Sequence, residues 1–260
     1  MPNTEPPSLV KSVAHALDIL DVVARAGDSG VTLAELAPRV GMAKSSASAS
    51  ARTLAHYGFL HIEMPGPRFK LGFALLRYGD QVTRQTSLGQ VALPILHELA
   101  ESTGLTARLA LNDDGYPVFV ERVDGHGSVR FHATLGQRES PHATGAGKVI
   151  LAYSPTPLVR RVIGEHGLPR YTDSTITEPD ALMDELERVR LVGFGVDNEE
   201  ESDGVVCVGA PVFDHLGTCL GALSLTGLKA DLASDGVGPY GAAVMEAAQR
   251  ITRTVQGGRR

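Results

Sequence analysis

The tightest constraint on the fold lies between Thr32 and Leu71, where start and stop signals follow one another too closely for any long element. Thr32 with Glu35 reads as a capping box, and Leu33, Leu36 and Val40 form the apolar stripe of a short helix that Gly41 closes. Pro38 removes one backbone hydrogen bond, so that helix is expected to kink or shorten there. The Ser/Ala-rich run GMAKSSASASARTL follows. It predicts a helix from residue 45 or 46 to about 57, opened by a hydroxyl cap and ended by Gly58. Residues 59–62 and 69–71 alternate about Pro65-Gly66-Pro67, which reads as two strands and a turn. Upstream, Val13, Leu17, Leu20 and Val23/Ala24 recur at helical spacing until Gly27, giving a first helix over about 12–25. Helix, helix, turn, helix and β-ribbon in that order describe a winged helix-turn-helix. On such a scaffold the third helix lies in the DNA major groove, and a wing tip carrying Arg68 and Lys70 reaches phosphate or the minor groove.

The charge distribution agrees with that reading once it is divided along the chain. Overall the net charge is -6. Residues 1–80 hold 8 Lys+Arg and 7 Asp+Glu of totals of 24 and 30, leaving 16 and 23 for the remainder, hence +1 against -7. Within 38–78, Arg39, Lys44, Arg52, Arg68, Lys70 and Arg77 face Glu63 alone. A locally basic segment on an acidic body suits a phosphate-contacting module, since neutralised phosphates release counterions whatever the rest of the chain carries. A solvated basic surface is the other reading of the same charges.

At 260 residues and 43% hydrophobic composition, two domains are expected. No apolar run approaches a membrane span, and the start MPNTEPPSLVK lacks a signal-peptide core, so a cytoplasmic protein with no membrane association is expected. Cys207 and Cys219 are too few for a disulfide framework or a four-ligand zinc site and are read as reduced thiols. Helices are expected at about 73–81 and 91–102, with Pro94 near the first turn of the latter. Strands at 107–111 and 117–123 flank the hairpin signal Asn112-Asp113-Asp114-Gly115, and another is read at 128–132. Helical patterns follow at 145–153, 156–166 and 179–192, strands at 194–197, 205–213 and 218–226, and a last helix at 239–254. That mixture is an α+β domain with an antiparallel sheet.

Several stretches together carry a family likeness over nearly the whole chain: Ser12-Val13 with Ala16 to Leu20, Leu33 to Ala37, Gly41 and Lys44-Ser45, Phe69 to Gly72, His142 to Lys148, Gly204-Val205 to Cys207 leading into Ala210 to Asp214, and Ala222 to Gly227. In this order and spacing the sequence resembles the IclR-type bacterial transcription regulators, named for the regulator of the isocitrate lyase operon. The resemblance implies a flexible tail (1–8), a winged helix-turn-helix DNA-binding domain (9–72), a linker helix used in dimerisation (73–88) and a GAF-like effector-binding domain (89–260). It implies a homodimer or homotetramer on double-stranded operator DNA with no cofactor. Repressor and activator stay open.

The run Thr144-Gly145-Ala146-Gly147-Lys148 is not a phosphate loop, which would need Gly where His142 stands and Ser or Thr where Val149 stands. Two readings are left: a helix start whose backbone N–H groups suit a carboxylate, or a tight turn that uses Gly for geometry. By resemblance, effector contacts fall on Gly145 and Ala146 (backbone), Asp197, Cys207, Ser224 and Thr226. Ser224 and Thr226 share one strand face. Asp197 would accept from a ligand hydroxyl while the helix start takes the acid group, which suggests a small hydroxy-, keto- or aromatic acid as effector. Duller roles stand beside these: Cys207 as a buried small residue, Asp197 as a turn cap. The run Asn198 to Asp203 reads as a solvated acidic turn rather than a metal loop. His142 and Cys207 lack the context of a base and nucleophile, so no enzymatic activity is expected.

In the expected reading helix, related sequences carry bulky aliphatics where this chain has Ala47, Ser50 and Ala51, and an Arg where it has Ala49. Tyr57, Leu54 or first-helix side chains should lean into the vacated space, or the domain should be soft. DNA contacts would then fall to Lys44, Ser45, Ser46, Ser48, Ala49 and Arg52, with Arg68 and Lys70 on the wing. A ligand sensor or partner-binding protein with degenerate DNA recognition is the competing reading.

Overall fold

The structure, a computed structural model, describes residues 9–85, 87–126, 135–232 and 236–257. The expected tail at 1–8 and the strand expected at 128–132 lie outside the described residues. The chain divides into two compact units, Met1–Gln85 and Thr86–Arg260.

In the first unit, α1 (Lys11–Arg25) runs into a short 3-10 turn, β1 (Val31–Thr32) and α2 (Leu33–Arg39). The capping box forms: Thr32 Oγ1 accepts from the Glu35 N–H at 3.3 Å, and Glu35 accepts from the Thr32 N–H at 2.8 Å. With Pro38 in its last turn, α2 ends at Arg39. Then come α3 (Lys44–His56), β2 (Leu60–Glu63), β3 (Arg68–Leu71) and α4 (Ala74–Gln85). Two expectations change. No hydroxyl caps α3: Ala43 occupies the N-cap without a side-chain bond, because the turn after Gly41 (φ +62°) brings the chain round in extended form and the serines fall inside the first turn. The ribbon also has a third strand, β1, paired with β3 through Val31 and Phe69 and too short to show a period.

Ile19, Val23, Val31, Leu36, Val40, Ala51, Leu60 and Phe69 form this unit's core. Leu54 packs against it, as do Leu20 and Val22 from α1, whereas Tyr57 stays 67% exposed. The small residues of α3 are thus met by Leu54 and α1, and not by Tyr57.

The second unit is built on an antiparallel five-stranded sheet in the order β5-β4-β8-β7-β6, from β4 (Thr106–Asp113), β5 (Tyr116–Val123), β6 (Gly195–Asn198), β7 (Val205–Phe213) and β8 (Cys219–Leu228). Asp113 pairs with Tyr116, so Asp114 (φ +58°) and Gly115 (φ +95°) make a two-residue turn of the primed kind. Leu109, Val206, Val208, Leu223 and Leu225 alternate onto one face, against α5 (Ser87–Thr103) and α9 (Gly238–Gly257). Pro94 lies well inside α5 instead of in its first turn. The burial of Leu88, Ala92, Leu96 and Leu99 against the sheet holds the helix through the lost backbone bond. On the other face, Ala110, Phe119 and Ala222 join α6 (Gly145–Ala152), α7 (Thr156–His166) and α8 (Pro179–Val192) in a second core. Among the described residues, no helix is long and apolar enough to cross a membrane.

Candidate DNA-binding surface and effector site

Helical geometry sorts α3 into two faces. Ala47 and Ala51 are fully buried, while Lys44, Ser45, Ser46, Ala49 and Arg52 are exposed and Ser48 half-buried. Neither Lys44 nor Arg52 has an acidic partner among the described residues. His56, exposed one turn beyond Arg52, extends the same face. Its i+4 spacing from Arg52 was the available signal.

The wing cations are held differently. Arg68 Nη1 donates to the carbonyls of Ser29 at 3.2 Å and Gly30 at 3.1 Å, and Lys70 pairs with Glu63 at 2.9 Å. A groove lined by Thr32, Ala34, Lys44, Gly66 and Arg68 separates the helix starts from the wing turn.

In the second unit, strand register gathers the expected effector residues. Asp197 pairs with Cys207, Cys207 with Thr226, and Gly209 with Ser224, so the side chains of Asp197, Cys207, Ser224 and Thr226 share the α6 side of the sheet. Gly145 and Ala146 are buried at the start of α6, where Thr144 Oγ1 accepts from the Gly147 N–H at 3.1 Å. The glycines make a backbone-to-backbone contact possible. A Cβ on Gly209 would lie 2.9 Å from Ala146 N, and one on Gly195 2.8 Å from the Gly145 carbonyl.

Asp197 is fully buried, and its Oδ1 accepts from the N–H groups of Glu200 at 2.7 Å and Glu201 at 3.3 Å. It caps that turn with one oxygen. Its Oδ2 makes no hydrogen bond among the described residues. Burial pushes its carboxyl up to about 7, helped by the nearby Glu200 and Glu201 and opposed by the backbone donors. Ser224 Oγ is buried and likewise without a partner. Cys207 Sγ lies 3.1 Å from Thr226 Oγ1, and burial drives its thiol far up, so no thiolate forms there. His142 is buried with Nε2 at the Pro169 carbonyl, 3.1 Å away, and burial lowers its basicity. The histidine and thiol have separate partners.

Two residues absent from the sequence reading belong to this cluster. Arg108, opposite Ser224, donates from Nη2 to Thr226 Oγ1 at 2.8 Å and lies over the Phe119 ring. Glu139 Oε1 is 3.9 Å from Arg108 Nη1, and burial pushes the Glu139 carboxyl up to about 7 against the pull of that arginine. A lone cation on the buried phase of Thr106–Asp113 was a signal in the sequence. The acidic run also differs from a solvated turn. Glu200 is buried and ion-paired with buried Lys148, while Glu199 pairs with Lys229. Lys148 comes from α6, so the pairing depends on tertiary packing.

Residues 80–253 match the family described as "Bacterial transcriptional regulator IclR C-terminal", and residues 12–61 match the "IclR helix-turn-helix domain". The chain belongs to the IclR family of bacterial transcription regulators. It is similar to the HTH-type transcriptional regulator BhcR of Paracoccus denitrificans, at 33% identity over 94% of this chain and 86% of that protein. Among solved structures, the Thermotoga maritima IclR is 30% identical with a TM-score of 0.80, over 94% of this chain and 98% of that one. An IclR homolog from Microbacterium hydrocarbonoxydans, complexed with 4-hydroxybenzoate, shares the fold at 22% identity and TM-score 0.80, again over 94% and 98%. As an IclR-family chain it is a DNA-binding regulator rather than an enzyme. Its first unit holds the helix-turn-helix and its second the C-terminal regulatory sheet domain.

Proposed function

We propose that this IclR-family regulator reads a short imperfect palindrome with the outward face of α3. A small organic acid bound among Asp197, Cys207, Ser224, Thr226 and the start of α6 (Gly145, Ala146) would control that binding. The observation that carries the DNA half is the sorting of α3, with small residues packed inward and Lys44 and Arg52 solvent-facing without acidic partners among the described residues. Ser45, Ser46 and Ser48 near the helix start suit phosphates, and Ala49 can meet a thymine methyl. Arg68 and Lys70 flank this surface from the wing and must exchange their internal partners to reach DNA.

The protein acts in the cytoplasm as a homodimer or homotetramer. Supporting self-association, Val10, Val13 and Leu17 form an exposed apolar stripe on and before α1, and Phe73 and Leu76 another at α4. Residues 9–72 serve as the DNA-binding domain, 73–88 as the linker helix and 89–260 as the effector domain. An effector with unequal affinity for two arrangements of the paired DNA-binding domains shifts the population between them. Hydroxy-, keto- and aromatic acids form the effector class. The fold's complex with 4-hydroxybenzoate in the Microbacterium homolog is in keeping with that size.

A gel shift against the DNA upstream of its own coding sequence tests this reading, with and without candidate acids. A specific complex that an organic acid strengthens or dissolves is expected. A complex that is salt-sensitive but indifferent to sequence would instead identify a ligand sensor with degenerate DNA recognition.

A further inference from the structure

Arg108 stands out among the buried groups of the second unit. Its side chain is 5% exposed, yet the one carboxylate within ion-pair reach among the described residues, Glu139, is 3.9 Å away, beyond hydrogen-bond distance. Nη2 is used by Thr226 at 2.8 Å and lies 3.6 Å from Cys207 Sγ, whereas Nε makes no hydrogen bond among the described residues. A guanidinium offers five N–H donors in a fixed fork, and a buried one is costly unless those donors are met. Three more buried polar atoms nearby lack partners among the described residues: Glu139 Oε2, Asp197 Oδ2 and Ser224 Oγ. Register puts Arg108, Asp197 and Ser224 on one side of the sheet, and Glu139 approaches the same guanidinium. Ser224 faces Arg108 across β4 and β8, and Thr226, Cys207 and Asp197 follow one another across β8, β7 and β6. Unmet donors and acceptors converging on one buried place describe a site awaiting a polar ligand.

We propose that Arg108 is the anion anchor of the effector site: the effector's carboxylate binds the guanidinium hydrogens that Thr226 leaves open and displaces Glu139 as counter-ion, while a second polar group of the effector bonds Asp197. This rests on the effector-site reading above and deepens it. The start of α6 is pressed onto the backbone of Gly195 and Gly209, which leaves the arginine as the better carboxylate partner. Neighbouring strands are about 4.8 Å apart, and the guanidinium lies over Thr226 and Cys207, one to two strand spacings from Asp197. The effector is therefore a compact monocarboxylic acid, with a hydroxyl or keto oxygen separated from the carboxylate by no more than one aromatic ring. Burial already holds the Glu139 carboxyl up to about 7, so it takes a proton when the ligand's charge replaces its own. The charges of Glu201 and Asp197 push Glu139 in the same direction.

Calorimetry on the full chain with matched pairs tests this, using pyruvate against pyruvamide and 4-hydroxybenzoate against 4-hydroxybenzamide. At least one acid is expected to bind about tenfold or more tighter than its amide. In Arg108→Gln that preference should collapse towards unity, and in Glu139→Gln the acid should bind severalfold tighter with the amide unchanged. An acid preference that survives in folded Arg108→Gln overturns the inference while leaving the organic-acid reading intact. Should Arg108→Gln fail to fold, Glu139→Gln decides, since unchanged or weakened acid binding overturns the inference. A wild-type protein that ignores both acids, or prefers the amides, overturns the organic-acid reading and this inference with it.

Discussion

The Lys148 ammonium, buried in the middle of α6, is ion-paired with Glu200 and donates to the Val196 carbonyl at 2.5 Å. Val196 and Glu200 stand on either side of Asp197, whose Oδ1 accepts the Glu200 N–H. One helix thus grips both arms of the turn that aims Asp197 at the candidate effector site. Removing one partner of a buried pair strands the other charge, at a cost of about 3–5 kcal/mol. Lys148→Met is expected to lose roughly that much in urea unfolding, and Lys148→Met with Glu200→Gln to regain a good part. A single variant as stable as the parent would show the pair to be energetically idle.

Asp197 and Glu139 predict how stability changes with pH. Burial raises both carboxyls to about 7, above the ordinary unfolded values of about 3.9 and 4.3. The folded state then holds these protons more tightly than the unfolded state does. Their favourable contribution is complete below about pH 4 and is lost as pH rises through about 7. The melting temperature is expected to fall between pH 5 and pH 8, with a few kcal/mol at stake. Asp197→Asn combined with Glu139→Gln should flatten that fall, and an equally steep decline in the double variant would assign it to other groups.

On the DNA side, Arg52 and Lys70 should separate. Arg52 is exposed without an acidic partner among the described residues, while Lys70 is already paired with Glu63. Fluorescence anisotropy with operator DNA should show Arg52→Ala weakening binding by about tenfold or more. If the lost contact is to phosphate, the salt slope should also fall by about one. Lys70→Ala should cost much less. Unchanged affinity in Arg52→Ala would remove α3 as the reading helix.

Ala51 is fully buried within the cluster of Ile19, Val23, Leu36 and Phe69. Because the neighbouring apolar side chains already close around it, a larger residue must displace them. Ala51→Leu is expected to destabilise the first unit by about 1–3 kcal/mol, read as an earlier thermal transition. A gain in stability would show that the small residues leave room unfilled.

Much of the fold was legible because its signals are local. Thr32 and Glu35 cap α2 through bonds three residues apart, Gly41 and Gly58 end helices with positive φ, and Asp114-Gly115 turns β4 into β5 within two residues. Strand β1 was invisible because two residues carry no period. The start of α5 at Ser87, which sets Pro94 inside the helix and not in its first turn, was missed because burial of Leu88 against the sheet, not propensity, sustains that extra turn. Arg108 is a lone charge in the apolar run of β4 whose partners nothing local marks, and the acidic run looked solvated until Lys148 from α6 met Glu200.

By itself, then, the sequence determined the winged helix-turn-helix, the α+β sheet domain and, β1 apart, the order of elements. Capping, glycine dihedrals and hydrophobic period act within one or two turns of chain. Only the tertiary structure decided which buried charges share a site. Arg108 and Cys207 are 99 residues apart in the chain, and antiparallel register across β4, β8 and β7 is what sets guanidinium beside thiol.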